Sequence, residues 1–494
     1  MMRWPRVLLA LLVLVLVFGF VAARSPRHGY PLEAFVTYYC GGAAVMARTD
    51  PYANAFVSRC EQANEPGLLP VGVAEPAVLP PAVLAAFALL ALLPYHLAGL
   101  LFLLLSLGAL LGAAWAVARV TGLHAAVPFG AFAFMCGFVN LFYGEVVPIV
   151  LFGICFAGWA LSRARFSLAA AGLAIALIEP QVAVPAALTA FAFERRMRLP
   201  LAIVAAVLLG ASLVLGPQSL WHYTRDVLPV HAWSEISAAD QYSSTWIAHW
   251  LGASDRTALD IGSAFSMLGW LAGLVVGGRV ASRLREPAAL VYVPVAFAVV
   301  APLFVHDLQL PLAIPAGLLL ARRGRYAGIA WAGVVLSAFP WVPGWFWRPT
   351  YPLLLLAVLG LALGAVVSRR NRVAFAAALI AVYTVVDRLL ARAHGVVASS
   401  DAVEPVPIGA DPALASVAWG RYVWAGAPSR EITLGMLGGK LLSFAGPIAV
   451  AGAALLEAYR PLPQRPADGA AVAAGAAGVA AAADGAPVAA ADVA

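Results

Sequence analysis

Apolar runs of membrane-spanning length follow one another along this chain, separated by short polar turns. One run covers Arg3–Val21, four more lie near 78–93, 97–118, 125–142 and 146–161, and later ones near 287–304, 307–321, 326–340 and 351–368. A helix needs about 20 apolar residues to cross the hydrocarbon, so the pattern predicts an all-α, polytopic transmembrane bundle of about 13 spans. The alternation of about ten residues per segment that marks a membrane β-barrel is not visible. The first run is signal-like, but it is long and no small-residue cleavage site follows, so it reads as a retained first helix.

Arginines punctuate these runs in clusters: Arg163/Arg165, Arg195/Arg196/Arg198, Arg279/Arg283/Arg285, Arg322/Arg323/Arg325 and Arg369/Arg370/Arg372. Short cytoplasmic loops carry such an excess of cations, and two clusters on one side are separated by an even number of crossings. The turn "FVHDLQ", the aromatic loop "WVPGWFWRPTY" and the long segment 217–257 therefore fall outside, the last with short interfacial helices. The interval from Arg165 to Arg195 is too short for two ordinary spans, yet parity demands two. Its interruption "IEPQ" predicts two short helices meeting at a buried turn around Glu179, which membrane depth tolerates only beside protein or a wet cavity. The competing reading is one Pro-kinked helix with its flanks on opposite sides. Parity also fails once: four runs lie between the first external loop and Arg163 where an odd number is required. One of them is expected to be short or re-entrant, near "LLPYHLAG" or "FYGEVVP".

Composition sharpens the class. The 494 residues are 63% hydrophobic and 11% charged, with mean hydropathy +0.89, against about a quarter charged in soluble domains. The net charge of +7 follows from the loop arginines and gives no reason to expect a nucleic-acid partner. Residues 1–465 read as one transmembrane domain with external loops at 24–77, 217–257 and 391–430, and 466–494 as a disordered, Ala-rich cytoplasmic tail. No internal repeat of the kind that builds many transporters is evident.

The first external loop is unusual. With Arg3 and Arg6 inside, residues 24–77 face an oxidising compartment, where Cys40 and Cys60 can pair; two free thiols are the alternative. Cys136 and Cys155 lie in apolar runs as packing residues. The loop acids Glu33, Asp50, Glu61, Glu65 and Glu75 are expected to be mostly solvated, and Asp50-Pro51 marks a turn.

Residues 33–52, "EAFVTYYCGGAAVMARTDPY", resemble the pattern D-x(3–4)-YY-x-(G/A)-A-x(n)-DPY of the polytopic GT-C glycosyltransferases of the family 87 type. That type includes polyprenyl-phosphomannose-dependent mannosyltransferases. Three later stretches are similar to family segments in order and spacing: "AEPAVLPPAVLAAFALLALLPYHLA", the run from "FVNLFYGEVVP" to "IEPQVAVP", and "QYSSTWIAHWLG". The likeness covers roughly residues 4–370. Glu145 replaces the family Gln, Val147 stands where Asn is usual, and Glu179 takes the place of a frequent Lys.

The resemblance implies a hexosyltransferase that moves a sugar from a polyprenyl-phosphate donor to a lipid, glycan or protein acceptor at the outer face of the inner membrane, with inversion. Its partners are the lipid-linked donor and membrane lipid; the donor is a co-substrate, and no cofactor is expected. A general base must take the acceptor's proton; Glu33 lies nearest the family's acidic position, with Asp50 second. The leaving lipid phosphate needs cations or donors, for which His306, Arg225, His222 and His231 are candidates. Tyr52, Glu145, Glu179, Gln181, Tyr242, Asp307 and Gln309 are expected to line the substrate cavity, although each ionisable group there could equally bond broken-helix backbone, and Asp307 could cap a helix. Trp341 to Trp347 could stack on sugar or form an interfacial belt. No His/Cys/Asp cluster has metal-ligand spacing. A secondary transporter or lipid flippase, and a polysaccharide polymerase or ligase, remain the competing classes. Sugar, acceptor, linkage and oligomeric state stay open.

Overall fold

The apolar runs become helices in the computed structural model, which describes residues 32–236, 241–302, 304–339, 341, 372–398, 411–426 and 432–461. The first run, most of the Trp341–Trp347 stretch and the 466–494 tail lie outside the described residues. The described residues are nearly all helical, apart from a two-stranded pairing of Val396–Ala398 with Ile432–Thr433. Among them, five helices are long and apolar enough to cross a membrane: Tyr95–Thr121, Ala126–Tyr143, Arg195–Leu213, Asp255–Leu284 and Leu434–Tyr459. Shorter apolar helices of 10–17 residues stand between them. The described residues up to Ala458 form one compact unit, and everything below lies within it.

Charged side chains tie one end of the bundle together. The Arg323 guanidinium meets the buried Glu286 carboxylate at 2.7 Å and donates to the Val120 carbonyl at 2.7 Å, while the Ser162 hydroxyl donates to Glu286. Arg283 donates to the Glu457 carbonyl at 3.3 Å, and the Arg325 amide to the Glu457 carboxylate at 2.9 Å. Taking a carboxylate out of water costs several kcal/mol unless it is paired and hydrogen-bonded, and Glu286 has both kinds of partner. Arginines distant in sequence thus gather at one end.

The break at Glu179 is a reversal of direction. Phe166–Ala176 and Pro180–Phe193 flank it, with Pro180 at the first helical position, where its missing N–H costs nothing. Arg196 lies over the Phe166 ring at 5.6 Å, so both ends of the segment return to the same place. At 1.5 Å per residue the two helices reach about 17 and 21 Å, short of a hydrocarbon core about 30 Å thick. The turn therefore lies at depth. Cysteines at 163 and 196 should react with an impermeant reagent from the same side of the membrane; reaction from opposite sides would restore the single kinked helix.

A short run does occur just before "LLPYHLAG". Pro81–Leu90 spans 10 residues, about 15 Å, and the chain turns before the long Tyr95–Thr121 helix. Three apolar helices follow before Arg163: Tyr95–Thr121, Ala126–Tyr143 and Val147–Ser162, the first two of them of spanning length. Val147–Ser162 meets Phe166–Ala176 almost backbone to backbone. A Cβ on Gly153 would come within 2.7 Å of the Gly172 carbonyl, and one on Gly172 within 2.8 Å of the Gly153 carbonyl. Without a hydrophobic drive between helices in lipid, such small-residue contacts supply the packing.

The 24–77 loop is built, over its described residues, around Glu33–Met46. Its Phe35 stacks on Phe102 at 4.8 Å and on Tyr95 at 5.9 Å, aromatic pairs worth about 0.5–1.5 kcal/mol beyond their burial. Cys40 and Cys60 are joined by a disulfide, which fixes Asn54–Asn64 to this helix.

Candidate active site

A cavity of about 440 Å³ opens where the disulfide-closed loop meets the Glu179 turn. Its wall combines elements far apart in sequence: Thr37 and Tyr38 from the first external helix, Glu75 from the following segment, Glu145 from the turn after Tyr143, and Glu179 with Gln181 from the deep turn. His231, His306 and Gln309 complete the polar part, with Val184, Leu228, Met267, Trp270 and Phe304 on the apolar side.

Local structure aims these groups. Gly144 takes φ +73°, and a Cβ there would come within 2.9 Å of the Phe35 side chain, so glycine lets the chain turn tightly and present Glu145. The Tyr38 hydroxyl donates to Glu145 Oε2 at 2.9 Å. Gln309 donates through Nε2 to Glu179 Oε1 at 3.3 Å, and its Oε1 accepts the His306 amide at 2.9 Å. His306 also pairs with Gln241 in an isolated antiparallel bridge, beside the Tyr242 amide donating to the Val305 carbonyl at 2.7 Å. Phe304 lies between the two imidazoles, edge-on to His231 at 4.6 Å and to His306 at 4.8 Å. Both histidines therefore stand on one aromatic support.

Other expected site residues lie elsewhere. Glu33 begins the first external helix, half-buried, one turn before Thr37 and next to Ala34, which lines the cavity. Burial and the charge of Glu145 both raise its carboxyl above the ordinary range. Asp50 is off the cavity: Oδ2 meets His222 Nδ1 at 2.6 Å, and Oδ1 accepts the Tyr52 amide at 3.1 Å. Asp50 and His222, expected in different roles, thus engage each other. Arg225 is exposed over the Trp221 ring at 5.3 Å. Tyr52 is buried, donating to the Leu79 carbonyl at 2.7 Å, and Tyr242 and Asp307 lie behind the wall. Trp341 packs on Phe339 and Tyr383, each at 5.9 Å. Among the described residues no group of three or more His, Cys, Asp or Glu is arranged to hold a metal.

Two loop acids are not solvated as expected. Glu61 is 2% exposed, and its Oε2 accepts the Glu75 amide at 3.2 Å. Glu75 faces the cavity half-buried; burial first, then the charges of Glu33, Glu61 and Glu145, raise its carboxyl well above the usual range. The Glu-Pro pair at the brink of an apolar run was the available signal. Lys440, the chain's single lysine, was a second: it interrupts an apolar helix, and such residues are functional candidates. It is buried over the Trp246 ring at 3.6 Å and donates to the Gln241 carbonyl at 2.7 Å, behind the His306 bridge.

Burial pushes Glu61 up to about 8, against a smaller lowering by the Glu75 amide. Between the ordinary carboxylate range and about 8, the folded protein holds a proton that the unfolded chain has released. Stability should therefore fall as pH rises through that window and level off above it. Glu61→Gln retains an acceptor for the Glu75 amide and should flatten this part of a thermal-unfolding profile between pH 5 and 9. Equal slopes for the two proteins would refute the assignment.

Residues 78–308 match the profile of glycosyltransferase family 87. The match, just under half of the 494 residues, supports a likeness to that family. No curated protein and no solved structure matches the chain. The matched region holds Glu145, Glu179, Gln181, His231 and His306, while the segment before it brings Glu75 to the cavity. That likeness points to a glycosyltransferase, and the five helices of spanning length and apolarity point to a membrane protein.

Proposed function

We propose that the protein transfers a sugar from a polyprenyl-phosphate donor to an acceptor hydroxyl at the outer face of the inner membrane, inverting the anomeric carbon. The observation that carries this reading is the division of the cavity wall. One part presents carboxylates and two imidazoles, and the other is apolar and reaches the flank of the bundle. Met267 and Leu228 line the cavity yet are 70% and 37% exposed, and the Asp255–Leu284 helix bearing Met267 is largely bare. That surface suits a prenyl chain entering from lipid, with its phosphate near His306 and His231.

In the proposed reaction the acceptor oxygen attacks the anomeric carbon as the bond to the phosphate oxygen breaks. Polyprenyl phosphate leaves, and the acceptor proton passes to the Glu33 carboxylate. A base with a raised pKa is better matched to that transfer near neutral pH than an ordinary carboxylate. His306 and His231 offer N–H groups to the charge growing on the leaving phosphate, where fixed donors act most strongly. Mannose is the sugar that the family resemblance favours. Proton NMR of the first product tests the stereochemical claim: inversion relative to the donor is expected, and retention would rule out direct displacement.

A further inference from the structure

The segment carrying Glu75 is strapped into place by the disulfide-closed loop. Asn54 accepts the Ala74 amide at 3.1 Å and donates to the Gly72 carbonyl at 2.8 Å. Glu61 holds the Glu75 amide, and the Tyr52 hydroxyl holds the Leu79 carbonyl. Four hydrogen bonds from residues 52–61 thus fix residues 72–79, while the Cys40–Cys60 bond anchors their source. The result is one carboxylate aimed into the cavity. Opposite it, Glu179 is 4% exposed, lines the same cavity, and has Oε2 buried without a hydrogen-bond partner. A buried acceptor atom without a donor costs about 1–3 kcal/mol, so the cavity favours a ligand that donates. Among the described residues no arginine or lysine side chain lines it.

We propose that Glu75 binds the acceptor, accepting hydrogen bonds from hydroxyls of a neutral, unphosphorylated sugar, with Glu61 as the residue that positions it. This rests on the transferase reading and adds the acceptor's chemical class. Carboxyl and amide oxygens accept readily from hydroxyls, whereas a phosphorylated sugar would find imidazoles only at His231 and His306, which the donor phosphate takes in the proposed reaction. Glu75 faces the acceptor; Glu33 keeps the proton.

The test uses the full chain in lipid nanodiscs, with octyl mannoside, octyl glucoside and their 6-phosphates as probes and binding read by intrinsic tryptophan fluorescence. At least one neutral glycoside should bind ten-fold or more tightly than its phosphate. Glu75→Gln should weaken neutral binding at least ten-fold while polyprenyl phosphate still binds as to the wild type. Glu61→Ala should act in the same direction, and Glu61→Gln, which keeps the acceptor oxygen, should restore near-normal binding. In transfer assays Glu75→Gln should raise the acceptor KM and spare kcat. Wild-type affinity in Glu75→Gln, equal binding of the phosphorylated probes, or a fall in kcat at unchanged KM would each overturn the proposal. Failure of the wild type to bind polyprenyl phosphate would instead count against the donor reading and leave the glycoside comparison standing.

Discussion

Glu33→Gln should lower turnover by about 10²- to 10⁴-fold, the worth of a positioned acid–base group, with donor binding close to normal. The amide keeps the size and hydrogen bonding of the carboxylate but cannot take the acceptor's proton. Its surroundings are right for the role: half-buried at the start of a helix whose next residues line the cavity, and close enough to Glu145 for that charge to raise its affinity for a proton. Asp50→Asn provides the contrast. Asp50 is committed to His222 and to the turn before Tyr52, so its loss should lower thermal stability with little change in kcat. Single-turnover measurements on both variants separate the roles. Full activity in Glu33→Gln with a collapse in Asp50→Asn would exchange them.

His306→Ala should reduce kcat by about 10²- to 10³-fold, the usual effect of removing one fixed donor to developing negative charge. The His306 backbone is held from two directions: its amide is bound by Gln309, and it pairs with Gln241, whose carbonyl accepts from Lys440. His222→Ala, which removes a partner of Asp50 outside the cavity, should leave kcat within a few-fold of wild type. Comparing kcat for the two substitutions at saturating donor checks this, and equal losses would break the assignment of the phosphate to the His306 side.

The sequence revealed more of the bundle than of the site. Arginine spacing required a reversal between Arg165 and Arg195, and the contact of Arg196 with Phe166 bears this out. Parity also demanded a short run between the first loop and Arg163, and Pro81–Leu90, at 10 residues, is short. Both features are local, governed by helix length against bilayer thickness. Five helices meet the length and apolarity of a span outright among the described residues; the expectation of about 13 rested on counting runs that the chain also uses as short helices.

Side-chain partnership was less legible because it is set by packing across the whole chain. Asp50 and His222 are 172 positions apart, and Gln309 and Glu179 130. Nothing local distinguishes an Asp that caps a turn and meets a histidine from one that meets a substrate. Glu61 and Glu75 were misjudged for a related reason. Loop acids are usually solvated, but a loop closed by a disulfide and folded onto a membrane helix has an interior, and these two carboxylates occupy it.

The most direct measurement is the fate of a radiolabelled polyprenyl-phosphate sugar given to the purified protein in proteoliposomes with a glycan acceptor. The proposed reaction predicts label in the acceptor and release of an equal amount of polyprenyl phosphate. Intact labelled donor, whether untouched or moved to the other leaflet, across a panel of polyprenyl-phosphate sugars would contradict it.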